Sequence, residues 1–121
     1  MLFAIAQAVL AARACGHAVL DGVYNRLDDA EGFAAECRQG RAFGCDGKTV
    51  IHPAQIGPAN AAFSPTPDEI AEADAVIAAY ARPENAARGA IALGARMVER
   101  LHLDMALALR AKADAIALKE C

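Results

Sequence analysis

Tryptophan is absent from this 121-residue chain, tyrosine occurs twice and phenylalanine four times. Its 12 basic residues, among them Arg13, Arg26, Arg38, Arg41, Lys48, Arg88, Arg96 and Arg110, form no cluster, and 15 acidic residues outnumber them. With neither a basic patch nor aromatic residues to interleave with bases, a nucleic-acid partner is excluded from the expectations. The four cysteines at positions 15, 37, 45 and 121 make no C-x-x-C pair, and His17, His52 and His102 make no H-E-x-x-H. Zinc-site and dithiol spacing is therefore missing, and the cysteines are expected to be reduced thiols, buried or half-buried. A long uninterrupted apolar run is missing too. The opening MLFAIAQAVLAARACGHAVL lacks a basic start, and Arg13 breaks it too early for a membrane span. It reads as a buried helix, with a cytoplasmic location and no membrane partner as the expectation.

What the chain does have is apolar residues: 56% of it, above the roughly 45 to 50% of an ordinary soluble chain, with alanine supplying much of the excess. A single small domain has limited interior for that much apolar surface, so part of it is expected to be covered by something outside this chain.

Leu2, Ile5, Val9 and Ala12 recur at helical intervals, and Gly16 follows where a left-handed cap belongs. HAVLDGVY (17–24) is apolar on both faces, as a doubly covered parallel strand is. LDDAEGFAAECRQGRAFG supplies Asp28 or Asp29 as helix N-cap, Glu31 in the first turn and Gly44 as terminator. DGKTVIH reads as a second strand, followed by a short helix from Pro53 that Gly57-Pro58 is expected to interrupt. Strand, helix, strand, helix favours a parallel βα repeat. Thr66, Pro67, Asp68 and Glu69 then open a helix running to about Arg82. RPENAARG is a linker, AIALGARMV a small hairpin or extended arm around Gly94, and residues 99–117 a final helix with Leu101, Met105, Ala108, Leu109 and Ile116 on one face. Two strands too apolar to be sheet edges imply the C-terminal part of a larger βα structure, truncated or completed by another chain.

In βα folds the chemistry sits at the C-terminal ends of the strands. Those ends are Asp21 to Asn25 and Ile51 to Gln55. Pro53 holds His52 extended, and alternation puts Lys48, Val50 and His52 on one face, with His52 at the mouth and Lys48 deeper. His52 either donates to a ligand or caps the next helix; Asp21 either faces a site or binds turn amides near Gly22. Asp28, Asp29 and Glu99 read as helix caps on spacing alone.

The stretches D-G-V-Y, D-A-E-G-F, G-K-T-V-I-H-P-A-Q-I, F-S-P-T-P-D-E and M-V-E recur in order through nearly the whole chain. This combination resembles the C-terminal part of the citrate lyase beta subunit and malyl-CoA lyase group of the HpcH/HpaI aldolase superfamily. The resemblance implies an α/β fold, the last βα units of a (β/α)8 TIM barrel, largely helical here, with residues 1–82 in the barrel and 83–121 forming a helical, oligomerising arm. It implies a metal-dependent carbon-carbon lyase, or a thioesterase, acting on a malyl-CoA or citryl-CoA type thioester with Mg2+ as cofactor. It places Asp21, Ile51, His52, Pro53 and Gln55 at the mouth that takes the CoA ester, and Glu99 as an acid or base supplied in trans to a neighbouring subunit. The residues Arg100 and Leu101 depart from the small residue and proline common at that point. No metal ligand is expected in this chain, because the family's metal-binding Glu and Asp lie on earlier strands. Expected partners are a CoA-ester substrate and either further copies, as a trimer or hexamer, or a missing N-terminal half. The competing expectation is a non-catalytic CoA-ester-binding or assembly module built on the same fold.

Overall fold

The structure is a computed structural model that describes residues 1–120. Five α-helices and four short strands follow in the order α1 (Leu2–Ala14), β1 (Leu20–Asp21), α2 (Ala30–Phe43), β2 (Gly47–Lys48), a 3-10 turn (Pro53–Gln55), α3 (Ile56–Phe63), α4 (Pro67–Ala81), β3 (Ala90–Leu93), β4 (Arg96–Glu99) and α5 (Arg100–Glu120). The chain is thus α/β and largely helical. It divides into two compact units, 1–63 and 64–121.

In the first unit β1 and β2 are parallel, with Leu20 opposite Gly47 and Asp21 opposite Lys48. The expected strands over 17–24 and 46–52 shorten to two residues each, because each has one neighbour and pairs only where it faces it. Flanking bonds from the Asp46 amide to Val19 O (2.8 Å) and from the Thr49 amide to Asp21 O (3.0 Å) extend the ladder slightly. Helix α2 starts at Asp29, whose carboxylate accepts from the Gly32 amide, and stops at Gly44, which adopts a φ of 98° that a side chain would resist. Helix α3 runs unbroken through Gly57-Pro58, against the expected interruption. Pro58 stands in the first turn, where the missing amide hydrogen has no carbonyl to meet anyway.

The core of this unit gathers Val9 from α1, Phe33 and Cys37 from α2, Cys45, and Ala59 and Phe63 from α3. Phe33 is 3% exposed and Cys37 fully buried. Fully burying a side chain of the Phe33 class stabilises by about 1.5 to 3 kcal/mol. Cys15, by contrast, is exposed, which corrects the expectation of uniformly covered thiols; Cys121 lies outside the described residues. Helix α1 buries only Val9, and Phe3 and Leu10 remain 76% and 70% exposed.

In the second unit a capping box opens α4: the Thr66 hydroxyl accepts from the Glu69 amide and the Glu69 carboxylate accepts from the Thr66 amide. The antiparallel pair β3–β4 turns at Gly94, with Ile91 opposite Val98 and Ala90 opposite Glu99. Both Ile91 and Val98 enter a core with Val76 and Tyr80 of α4 and Ala106 of α5. The buried stripe of α5 keeps Leu109 of the one expected and otherwise differs from it. Ala106 is buried and Leu103 and Leu109 pack on the core, whereas Leu101 and Met105 are 64% and 61% exposed. The hairpin fixes the rotation of α5 by delivering it directly from Glu99, and the periodicity of an alanine-rich helix leaves that rotation open. Among the described residues no helix is long and apolar enough to cross a membrane.

Candidate functional site

The parallel register sets Asp21 and Lys48 side by side at the ends of β1 and β2. The Lys48 side chain is fully buried, and its ammonium donates to Asp21 Oδ2 at 3.0 Å and to the Glu36 carboxylate on α2. A buried lysine ordinarily loses its proton more easily. Here burial does pull in that direction, but the bonds to Glu36 and Asp21 outweigh it and hold Lys48 above the usual lysine range. The ammonium also lies 5.9 Å from the centre of the Phe33 ring. Gly40 lets α2 come this close, since a Cβ there would stand 2.8 Å from Asp21 Oδ2. Asp21 Oδ1 accepts from the Gly22 amide at 2.9 Å, so both oxygens of Asp21 are engaged.

The loops beyond these strands are knitted together by the motif residues. Tyr24 donates its hydroxyl to Asp29 Oδ2 at 2.7 Å, while Asp29 Oδ1 holds the Gly32 amide at 2.8 Å. The Tyr24 bond, then the Gly32 amide, pulls the Asp29 carboxyl below its ordinary range, and the same bond raises the Tyr24 phenol. Gly32 has no alternative, because a Cβ would fall 2.1 Å from the Tyr24 hydroxyl. Gln55, 6% exposed, donates from Nε2 to Tyr24 O and accepts at Oε1 from the Ile51 amide, both at 2.9 Å. It therefore ties the loop after β1 to the loop after β2. His52 is extended and accepts at Nδ1 from the Ala54 amide at 3.2 Å, capping the 3-10 turn and leaving Nε2 as its free donor. Ile51, His52 and Pro53 are exposed. Of the five residues expected at the mouth, these three meet solvent, while Asp21 and Gln55 are occupied by protein groups.

Glu99 ends β4 and is exposed. Its amide donates to His102 Nδ1 at 2.9 Å. Beside it, a pocket of about 270 Å3 between α4, β4 and α5 is lined by Val76, Val98, His102, Met105 and Ala106, with the Glu72–Arg96 ion pair alongside.

Among the described residues no group of three or more His, Cys, Asp and Glu side chains is placed to hold a metal ion. Asp21 and Glu36 already share the Lys48 ammonium as their cation. These residues by themselves do not fit a magnesium ion, which asks for near-octahedral oxygens and keeps several waters.

Three contributors escaped the sequence. Glu36 lies in the body of α2, and the signal for it was Lys48 itself, a charge on a buried strand that needs partners from elsewhere. The Tyr24–Gln55 link joins residues 31 positions apart and carries no periodic mark. His102 stands three residues after Glu99, the spacing of a capping box, but with an imidazole where glutamate or glutamine is usual.

Comparison with known proteins shows what the chain is similar to. Residues 1–53 match the family model described as HpcH/HpaI aldolase/citrate lyase. A (3S)-malyl-CoA thioesterase of Cereibacter sphaeroides is 51% identical over 109 residues, covering 90% of this chain and 38% of that protein. The chain is similar to the HpcH/HpaI aldolase/citrate lyase family over residues 1–53 and to this thioesterase over most of its length. A citrate lyase subunit beta-like protein of Deinococcus radiodurans is 42% identical over 99 residues, or 82% of this chain and 35% of the relative. Among solved structures, the CitE protein of Mycobacterium tuberculosis, in complex with magnesium, acetoacetate and coenzyme A, superposes with a TM-score of 0.69 at 35% identity, covering 87% of this chain and 38% of that one. The chain thus spans under two-fifths of the length of these HpcH/HpaI relatives.

Proposed function

We propose that this chain supplies the C-terminal βα units and arm of a (β/α)8 enzyme that cleaves or hydrolyses a malyl-CoA or citryl-CoA type thioester with the help of magnesium. The observation that carries the reading is the 51% identity to a (3S)-malyl-CoA thioesterase across 90% of the chain. In this reading Ile51, His52 and Pro53 are the face offered to the CoA ester, with His52 Nε2 as its hydrogen-bond donor. Asp21, braced by Lys48, and Gln55, braced by Tyr24, keep that face in place. Glu99 provides acid or base chemistry to the site of a neighbouring copy, a role that suits an exposed carboxylate without a competing partner. The oxygens that hold magnesium come from outside these 121 residues. Missing barrel strands also account for the exposure of Phe3, Leu10 and Leu20, which are 76%, 70% and 63% open.

One observation favours a second reading, a CoA-ester-binding or assembly module without catalysis: the two carboxylates that β1 and α2 bring together are already engaged by the Lys48 ammonium. A substrate panel separates the two. The native polypeptide that carries this segment is incubated with malyl-, citramalyl- and citryl-CoA, and free CoA thiol and acetyl-CoA are followed in parallel. Consumption of at least one ester is expected, with free thiol marking hydrolysis and acetyl-CoA marking carbon-carbon cleavage. Saturable binding of the esters with no product would overturn the enzymatic reading in favour of the module.

A further inference from the structure

We propose that His102 is a positioning residue for the Glu99 carboxylate, acting through the main chain on which that carboxylate stands. The inference rests on the proposed role of Glu99 and deepens it. Glu99 is the last residue of β4 and immediately precedes α5. Arg100, not Glu99, donates its amide across to Gly89 O (3.0 Å), and amides alternate along an antiparallel strand. The Glu99 amide consequently faces away from the ladder and needs another acceptor, which His102 Nδ1 provides at 2.9 Å. The residues on either side are held as well. Val98 O accepts from the buried Tyr80 hydroxyl at 3.1 Å, and the Arg100 guanidinium sits 5.9 Å from the Tyr80 ring centre. An exposed carboxylate with no hydrogen bond of its own among the described residues is thereby carried on a backbone fixed at three successive residues.

The same molecule shows the ordinary solution at α4, where the Glu69 carboxylate takes the Thr66 amide at 2.7 Å. A glutamate in that place at α5 would set a second negative charge against Glu99. An imidazole accepting at Nδ1 satisfies the amide without adding that charge. Accepting there requires Nδ1 to be unprotonated, which leaves the proton on Nε2.

The test uses the native polypeptide carrying this segment, with His102→Leu, His102→Gln and Glu99→Gln variants, turnover of its thioester substrate, and amide hydrogen exchange at Glu99. His102→Leu is expected to lower kcat by about 10- to 100-fold, the scale of a misplaced catalytic group, with KM within about twofold. Exchange at the Glu99 amide should rise by about fivefold or more in that variant, as one lost hydrogen bond allows. His102→Gln, whose side-chain oxygen can accept as in a capping box, should restore both readouts. Glu99→Gln should cost about 100-fold or more. If His102→Leu loses amide protection yet keeps its kcat while Glu99→Gln is inactive, the inference about His102 falls and the role of Glu99 stands. A low kcat in His102→Gln despite restored protection also overturns it. Unchanged turnover in Glu99→Gln overturns both. Should His102→Leu fail to fold, His102→Ala removes the acceptor at the same exposed position and carries the same outcomes.

Discussion

Lys48 organises the first unit because its side chain is fully buried with its charge intact. Removing one member of a buried ion group strands the others, and the cost reaches about 3 to 5 kcal/mol when all are dry. Glu36 keeps 35% of its side chain in water, so Lys48→Met should destabilise by about 3 kcal/mol, the lower end, read from the urea midpoint at neutral pH. The pH dependence follows in sign. The folded state holds the Lys48 proton more tightly than the unfolded chain does. Its contribution is therefore complete below the unfolded lysine value of about 10.4 and is lost as pH rises through the folded one. Wild type should lose stability more steeply than Lys48→Met in that alkaline window; parallel curves would show that the ammonium is not favourably held.

Among the elements, Asp29 does two things at once, capping α2 through Oδ1 and holding Tyr24 through Oδ2. Asp29→Ala should cost about 1 kcal/mol or more for the cap alone. Because its folded carboxyl sits below the ordinary range, its stabilisation is present above the unfolded value of about 3.9 and disappears as pH falls through the folded one. Wild type and Asp29→Ala should accordingly converge in stability only in acid, as measured by denaturant melts across pH. The helix ends of this chain were legible because they are local: Asp29, Gly44, Thr66, Pro67 and Glu69 do in the structure what their chemistry announces within one turn. The strands were legible in place but not in extent, since pairing depends on a neighbour that residue order does not specify. The buried face of α5 is legible only in part, at Leu109, for a related reason: Leu101 and Leu103, or Met105 and Ala106, differ by a rotation that only the hairpin settles.

For the whole molecule, the motif residues were readable as a group before their individual work was. The polar atoms of Gln55 and Asp21 are spent on Tyr24, Ile51, Gly22 and Lys48, and the links to Tyr24 and Lys48 join residues distant in sequence. His52 meets its capping reading, since its Nδ1 accepts from the Ala54 amide at the 3-10 turn. On our proposal these residues serve a thioester enzyme whose magnesium is held by groups outside this chain. The measurement that tests it most directly is the rate of malyl-CoA consumption by the native polypeptide carrying this segment, first stripped with a chelator and then titrated with Mg2+, beside the 121-residue chain treated identically. Saturable, magnesium-restored consumption is expected of the native polypeptide and none of the 121-residue chain alone. Magnesium-dependent turnover by the isolated chain, or chelator-insensitive turnover by the native polypeptide, would contradict it.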